Sequence, residues 1–371
     1  MPHSPLPTLR LPTRLPQYLA TLYALMIIYA SLEPFSGWMA PLPDSPFFIF
    51  EPWPLHFRRF DIVDIVINVV AYAPFGFLLA EIGAQRRPAT RLATAIGSGA
   101  LLSFTMETTQ MFLPMRDASN VDLISNSAGA AVGGLVALAF NRIPGVRERV
   151  AQWRYRTFLG ERSGDLGLAL LGVWLLSQVN PGIPLFAATF DPSLELERDF
   201  AGTLLQAAQS AFNVIGVGLF LALLLRRQRD LGAAILFLIC VALGLKGAAA
   251  AFLLKSPSWT FWLEPGILIG VATGALMLIL AIRLPRPART TLCAIALLSS
   301  LVAPLLAPDM WRVRAPLALF DWPYGHLLNF NRLTHAVLVI WPVLASVFLL
   351  WLAGKPGWGQ HGTKSDSAAH V

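Results

Sequence analysis

Long apolar stretches with almost no charge recur along most of this chain, and they set the terms for everything else. Each runs for about 18 to 24 residues, the length a helix rising ~1.5 Å per residue needs to cross a hydrocarbon core about 30 Å thick. The runs are continuous rather than alternating apolar with polar, which argues against a β-barrel. Open sheet edges are equally disfavoured, because lipid cannot satisfy their backbone groups. Only 13% of the 371 residues are charged and 56% are hydrophobic. Too few polar side chains remain to coat a soluble globule of this size.

The expected fold is therefore an all-α polytopic transmembrane helical bundle. Ten spans are expected, at 17–35, 61–83, 92–113, 121–140, 165–181, 203–225, 231–254, 263–282, 290–308 and 333–353. Four alternate loops, 84–91, 141–164, 226–230 and 283–289, collect the arginines, including Arg86, Arg87, Arg91, Arg142, Arg154, Arg226 and Arg289. Basic loops stay on the cytoplasmic side, so both termini are expected to be cytoplasmic. The opposite loops carry tryptophans such as Trp38, Trp53, Trp259, Trp262, Trp311 and Trp322, suited to the outer interface. The net charge of +7 is thus topology information and no sign of a nucleic-acid partner. The segment before the first span lacks a small-residue cleavage pattern after its apolar run and is expected to be retained.

Five regions follow: a cytoplasmic segment 1–16, a four-span unit 17–142, a basic linker 143–164, a six-span unit 165–353 and a disordered tail 354–371. Two short echoes hint at internal duplication. Asn68-Val69-Val70 is matched by Asn213-Val214-Ile215, and Phe112-Leu113 by Phe252-Leu253. Cys240 and Cys293 lie inside apolar runs as small hydrophobes, and His56, His326 and His335 have no ligand-like spacing. No metal and no cofactor is expected, and no P-loop, Rossmann fingerprint or nucleophile elbow is present.

Ionisable groups inside spans are costly and usually face a bundle interior. Asp61, Asp64 and Asn68 share one stripe of the second span, Glu107 and Gln110 one face of the third with Ser103 a turn deeper, and Asp122 and Asn126 one face of the fourth. All are expected within about 10 Å of the outer surface, counting the rise from each span's outer end. Below Asp122 and Asn126 the pair Gly129 and Gly133 permits close helix approach. Arg58, Arg59 and Arg116 lie in the outer loops. Arg116 can clamp the hairpin between Glu107 and Asp122 or contact a ligand, whereas Arg58 and Arg59 equally suit lipid headgroups.

These residues carry a resemblance. Asp64-x3-Asn68, Pro74-Phe75-Gly76-Phe77, Glu107-x2-Gln110-x-Phe112, Pro114, Arg116 and Asp122-Leu123-Ile124-x-Asn126-x2-Gly129-x3-Gly133 resemble, in order and spacing, the VanZ-like family of bacterial membrane proteins. The resemblance covers residues 17 to 142. The family's founding member is associated with low-level teicoplanin resistance, which implies a cell-envelope location in the bacterial cytoplasmic membrane. The six-span second unit departs from the family.

Three functions remain open. The first is a non-enzymatic envelope protein binding a lipid-linked or lipidated molecule through Asp64, Asn68, Glu107, Gln110, Arg116, Asp122 and Asn126 in an outer-facing pocket. The second is a membrane enzyme acting on a lipid or glycan headgroup, with Glu107 as acid or base, Asp122 as its charged neighbour and Arg116 as phosphate clamp. The third is a transporter or flippase, motivated by the duplication and by Lys246 inside the seventh span. Lys246 is expected either to pair with Gln209 or to snorkel outward. The expected partner is a membrane lipid or lipid-linked envelope molecule, with a homo-oligomer compatible. Acidic residues of 182–202 and basic residues of 309–332 are expected to cap the bundle.

Overall fold

The computed structural model describes residues 13–41, 46–52, 59–188, 194–196, 199–253, 263–306, 311–313 and 325–356. Eleven helices are found among them: α1 Leu15–Leu32, α2 Arg59–Ile82, α3 Pro88–Gln110, α4 Asn120–Arg142, α5 Val146–Thr157, α6 Glu161–Ser177, α7 Phe200–Leu224, α8 Leu231–Leu253, α9 Pro265–Ala281, α10 Arg286–Leu306 and α11 Gly325–Ala353. Every expected span falls on a helix. Six of the helical segments are long and apolar enough to cross a membrane: Leu15–Leu32, Ile62–Ile82, Asn120–Arg142, Phe200–Leu224, Gln228–Ala251 and Asn329–Ala353. The protein is a helical membrane protein.

Helix boundaries follow local chemistry. Proline opens the first turn of α1, α3 and α9, where its missing N–H would have no intrahelical partner anyway. Ser119 caps α4 by accepting from the Val121 amide at 3.1 Å, and Asp199 caps α7 by accepting from Gly202 at 2.7 Å. Asp122 in the first turn of α4 adds a favourable charge at the positive end of the helix dipole.

Within α1–α4, α2 and α4 approach so closely that a methyl on Gly129 or Gly133 would overlap the Val69 or Ala73 carbonyl of α2. Ala80, Ala95 and Ala137 continue this small-residue contact into α3. In the remainder, α7 is the central helix: residues 213–225 are buried without interruption, as expected for a helix apolar on all sides. It packs on α9 through Gly266, Gly270 and Gly274, on α10 through Gly216 against Leu297, and on α11 through the Phe220 and Trp341 rings at 5.5 Å.

Two features depart from the sequence reading. The basic linker is not a plain loop, because Val146–Thr157 forms helix α5. Arginine is a good helix former, and Trp153 gives α5 an aromatic contact with Phe158 and Phe237. Secondly, the all-α bundle carries one short antiparallel pairing. Its strands are β1 (Leu194–Leu196) and β2 (Trp311–Val313), which join the two long loops in the register Leu194 with Val313 and Leu196 with Trp311.

At the arginine-rich end, several of the basic residues are structural. Arg154 forms a buried ion pair with Asp165, whose carboxylate also accepts from Thr13 Oγ1 at 3.0 Å and the Arg14 amide at 2.8 Å. Arg91, 5% exposed, pairs with Glu81 at 3.0 Å and donates to the Ala80 carbonyl at 2.9 Å. Such arginines contribute packing and pairing besides any orientation signal.

Candidate functional site

The polar residues of α2, α3 and α4 meet near the end opposite the arginine-rich loops. Asn68 Nδ2 donates to Asp122 Oδ1 at 2.8 Å, bridging α2 and α4 above the glycine seam. One turn further along α4, Asn126 Nδ2 donates to Ser103 Oγ of α3 at 3.0 Å, and Tyr72 of α2 lies beside Ser103. Glu107, 3% exposed, accepts from the Ser119 amide at 2.9 Å. Its carboxylate therefore fixes the turn from which α4 starts. Asn120 Nδ2 holds the Glu51 carbonyl at 2.8 Å, bringing the preceding loop and its carboxylate alongside.

The side-chain oxygen of Asn126 stands out. Asn126 is 5% exposed, its amide nitrogen is used by Ser103, and its Oδ1 finds no hydrogen-bond partner among the described residues. A buried acceptor left unpaired is uncommon and costly. Ser103 at 0% and Tyr72 at 5% exposure surround it, so the orphan acceptor sits in an enclosed environment with neighbours already fixed.

Two candidates read from sequence belong elsewhere. Gln110 Nε2 donates to the Ser31 carbonyl of α1 at 2.9 Å. Arg116 donates through Nη2 to the carbonyls of Ala30 at 2.9 Å and Glu33 at 2.6 Å, with Nε adding a bond to Glu33 at 3.2 Å. Both residues tie the α3–α4 region to the C-terminal end of α1. A guanidinium there satisfies carbonyls that the helix cannot, and opposes the negative end of its dipole. Burial lowers the Arg116 pKa from the usual arginine value, while the neighbouring Glu33 carboxylate acts in the opposite direction. The clamp thus grips α1, not the Glu107–Asp122 hairpin.

Asp64 is engaged in an interaction of its own. The side chains of Asp61 and Arg59, and all of Arg58, lie outside the described residues, as do Trp53, Trp259, Trp262, Trp322, Arg314 and His56. The side chains of Trp311, Arg312 and His326 are likewise not described.

Several participants were not singled out from the sequence. Tyr72 sits four residues beyond Asn68, so the stripe of Asp64 and Asn68 continues one turn deeper than its charged members. Toward Glu107, Ser119 acts through its backbone amide, which leaves no trace in a sequence. Glu33 closes α1, is 9% exposed and forms an ion pair with Arg332.

The α6–α11 part holds a second buried polar group. Lys246 of α8 is 0% exposed and donates to the carbonyls of Asn180 at 3.0 Å and Ile183 at 2.7 Å. Its ammonium is thus held by the turn after α6 and neither by Gln209 nor at the surface. Asn180 Nδ2 in turn donates to Asn331 Oδ1 at 2.9 Å and Thr334 Oγ1 at 2.7 Å of α11. Among the described residues, no group of three or more metal-ligating side chains occurs.

Residues 14–141 match a family model described as VanZ/LLP1, a stretch that takes in α1–α3 and nearly all of α4. Helices α5–α11 lie outside the match and form a separate region. No curated protein and no solved structure matches the chain.

Proposed function

We propose that, with its VanZ-type region at residues 14–141, this integral membrane protein binds the headgroup of a lipid-linked or lipidated envelope molecule at the α2–α3–α4 cluster. The membrane is the bacterial cytoplasmic membrane, ten helices cross it, and the arginine-rich loops face the cytoplasm, so the cluster opens toward the outer side. The observation that carries the reading is the unpaired, buried Oδ1 of Asn126. It lies in a group whose remaining polar members, Asn68, Ser103, Glu107 and Asp122, are already held in place.

The chemistry of that group favours donors on the ligand. Asn126 Oδ1, the Glu107 carboxylate and the Asp122 carboxylate all accept hydrogen bonds. Arg116, the residue best suited to a phosphate, is occupied with the carbonyls of α1. A headgroup rich in hydroxyl or amine groups matches this set, and its lipid part lies against the apolar helix faces. The enzyme reading assigned Arg116 as its phosphate clamp beside Glu107 and Asp122, and that guanidinium is held by the carbonyls of Ala30 and Glu33.

The test is native mass spectrometry of the detergent-purified protein beside its Asn126→Ala and Asp122→Asn variants. A lipid or lipid-linked glycan carried by the wild type and lost by both variants supports the reading. Identical, nonspecific lipid on all three proteins refutes it.

A further inference from the structure

Three relationships in α6–α9 repeat those of α1–α4. In each set the fourth helix packs by its glycines on carbonyls of the second: Gly129 and Gly133 of α4 on Val69 and Ala73 of α2, Gly270 and Gly274 of α9 on Ala207 and Ala211 of α7. Near one end of each seam a side-chain amide of the second helix donates to a carboxylate where the fourth begins. Asn68 donates to Asp122 at 2.8 Å, and Gln206 to Glu264 at 2.7 Å. In each set a cation also grips carbonyls at or just beyond the end of the first helix: Arg116 those of Ala30 and Glu33, Lys246 those of Asn180 and Ile183 in the turn after α6.

The sets differ in their third helix. Towards its C-terminal end α3 buries a carboxylate, Glu107, whereas α8 buries an ammonium, Lys246. An ammonium has three N–H donors, and two backbone carbonyls use two of them. Among the described residues, Lys246 makes no ion pair with a carboxylate. A buried charge without a counter-charge is a large penalty that carbonyl dipoles offset only in part. On the same turn that holds the ammonium, Gln178 is fully buried and keeps an Oε1 without a hydrogen-bond partner among the described residues.

We infer that Lys246 is the centre of a second ligand site, which takes an anionic group, a phosphate or a carboxylate, and is reversed in polarity from the α2–α3–α4 cluster. The third ammonium donor, which finds no acceptor among the described residues, and the charge it carries supply the attraction. Gln178 Oε1 supplies an acceptor for a hydroxyl on the same ligand. Helix α8 provides the way in. Its buried residues Leu231, Ala234, Leu238, Ala242, Lys246 and Ala250 form one stripe at helical spacing, while Leu236, Phe237, Leu243 and Leu245 on its other faces are exposed. A helix held along one stripe admits a headgroup beneath it with a small displacement. The inference stands apart from the function proposed above, since it uses no residue of the first cluster.

The same anionic chemistry is offered by a lipid headgroup and by a free anion, and the experiment separates them. Wild-type protein in a neutral detergent is titrated with phosphatidylglycerol, with phosphatidylcholine and with inorganic phosphate, and read by native mass spectrometry beside Lys246→Met and Lys246→Arg. Expected is a preference of about tenfold for phosphatidylglycerol over phosphatidylcholine, lost in Lys246→Met and kept in Lys246→Arg. Competition by inorganic phosphate identifies a free-anion site, and its absence a lipid site. A preference unchanged in Lys246→Met, or none in the wild type for either anion, overturns the inference and leaves Lys246 as a tether for α8. If Lys246→Met does not fold, the Lys246 Nζ resonance of 15N-lysine-labelled wild type decides. A shift on adding phosphatidylglycerol or phosphate supports the site, and an unmoved signal overturns it.

Discussion

The Arg332 guanidinium lies 2.8 Å from each carboxylate oxygen of Glu33, so α11 is fastened to the C-terminal end of α1 across 299 positions of sequence. The same Glu33 gives its backbone carbonyl to Arg116. One residue thereby joins the region that matches the VanZ/LLP1 family model to the helices beyond it. Because Arg332 is 45% exposed at its side chain, solvent screens the pair, and a coupling of about 1 kcal/mol is expected. A double-mutant cycle of Glu33→Gln and Arg332→Gln, measured by unfolding in detergent, checks this. A coupling indistinguishable from zero would show that the two regions associate without it.

Arg116→Ala should destabilise the protein by about 2 kcal/mol, the range for hydrogen bonds made by a charged group. Arg116→Lys should recover less than half of that, because an ammonium cannot reproduce the planar fork that reaches Ala30 and Glu33 together. Thermal unfolding of the three proteins gives the comparison. Equal stability of Arg116→Ala and wild type would remove Arg116 from the structural account.

The glycine seam makes a sharp contrast within one chain. A methyl at Gly133 would overlap the Ala73 carbonyl and the Phe77 amide, both backbone atoms that cannot rotate away, whereas a methyl at Gly97 would meet nothing within 4 Å. Gly133→Ala is therefore expected to cost more than ~2 kcal/mol through overpacking. Gly97→Ala is expected to be neutral or to stabilise by up to about 1 kcal/mol through helix propensity. Melting temperatures of the two variants should move apart, and a shared direction would contradict the seam.

How far the sequence spoke can be traced residue by residue. Each apolar run fell on a helix, and six of the helical segments are long and apolar enough to cross a membrane, a length the hydrophobic thickness dictates whatever their partners. Stripes at helical spacing brought Asn68, Glu107, Asp122 and Asn126 to one region, because side chains three and four apart must share a face. What stayed hidden depends on neighbours far away in the chain. Arg116 lies between Glu107 and Asp122 in sequence, yet its partners are carbonyls of α1, and backbone acceptors have no residue signature. Lys246 likewise found Asn180 and Ile183 in a turn that no spacing rule connects to α8. Helix α5 was missed because a run of arginines reads as a loop until Asp165 and Phe237 are placed against it.

That same Asp165 offers the largest single-site effect away from the ligand clusters. Its carboxylate takes the Arg154 guanidinium, the Thr13 hydroxyl and the Arg14 amide, binding the entry to α1, helix α5 and helix α6 together. Among the described residues Arg154 has Nε and Nη1 buried without partners, so Asp165 is the group that compensates its charge. Asp165→Asn keeps the shape but leaves that guanidinium buried and unpaired, and a loss of about 3 kcal/mol is expected. Arg154→Met, which removes the charge together with its need for a partner, should cost clearly less in the Asp165→Asn background than in the wild type. Unfolding of the four proteins of this cycle decides the point. Purely additive effects would mean that the pair does no more than fill space.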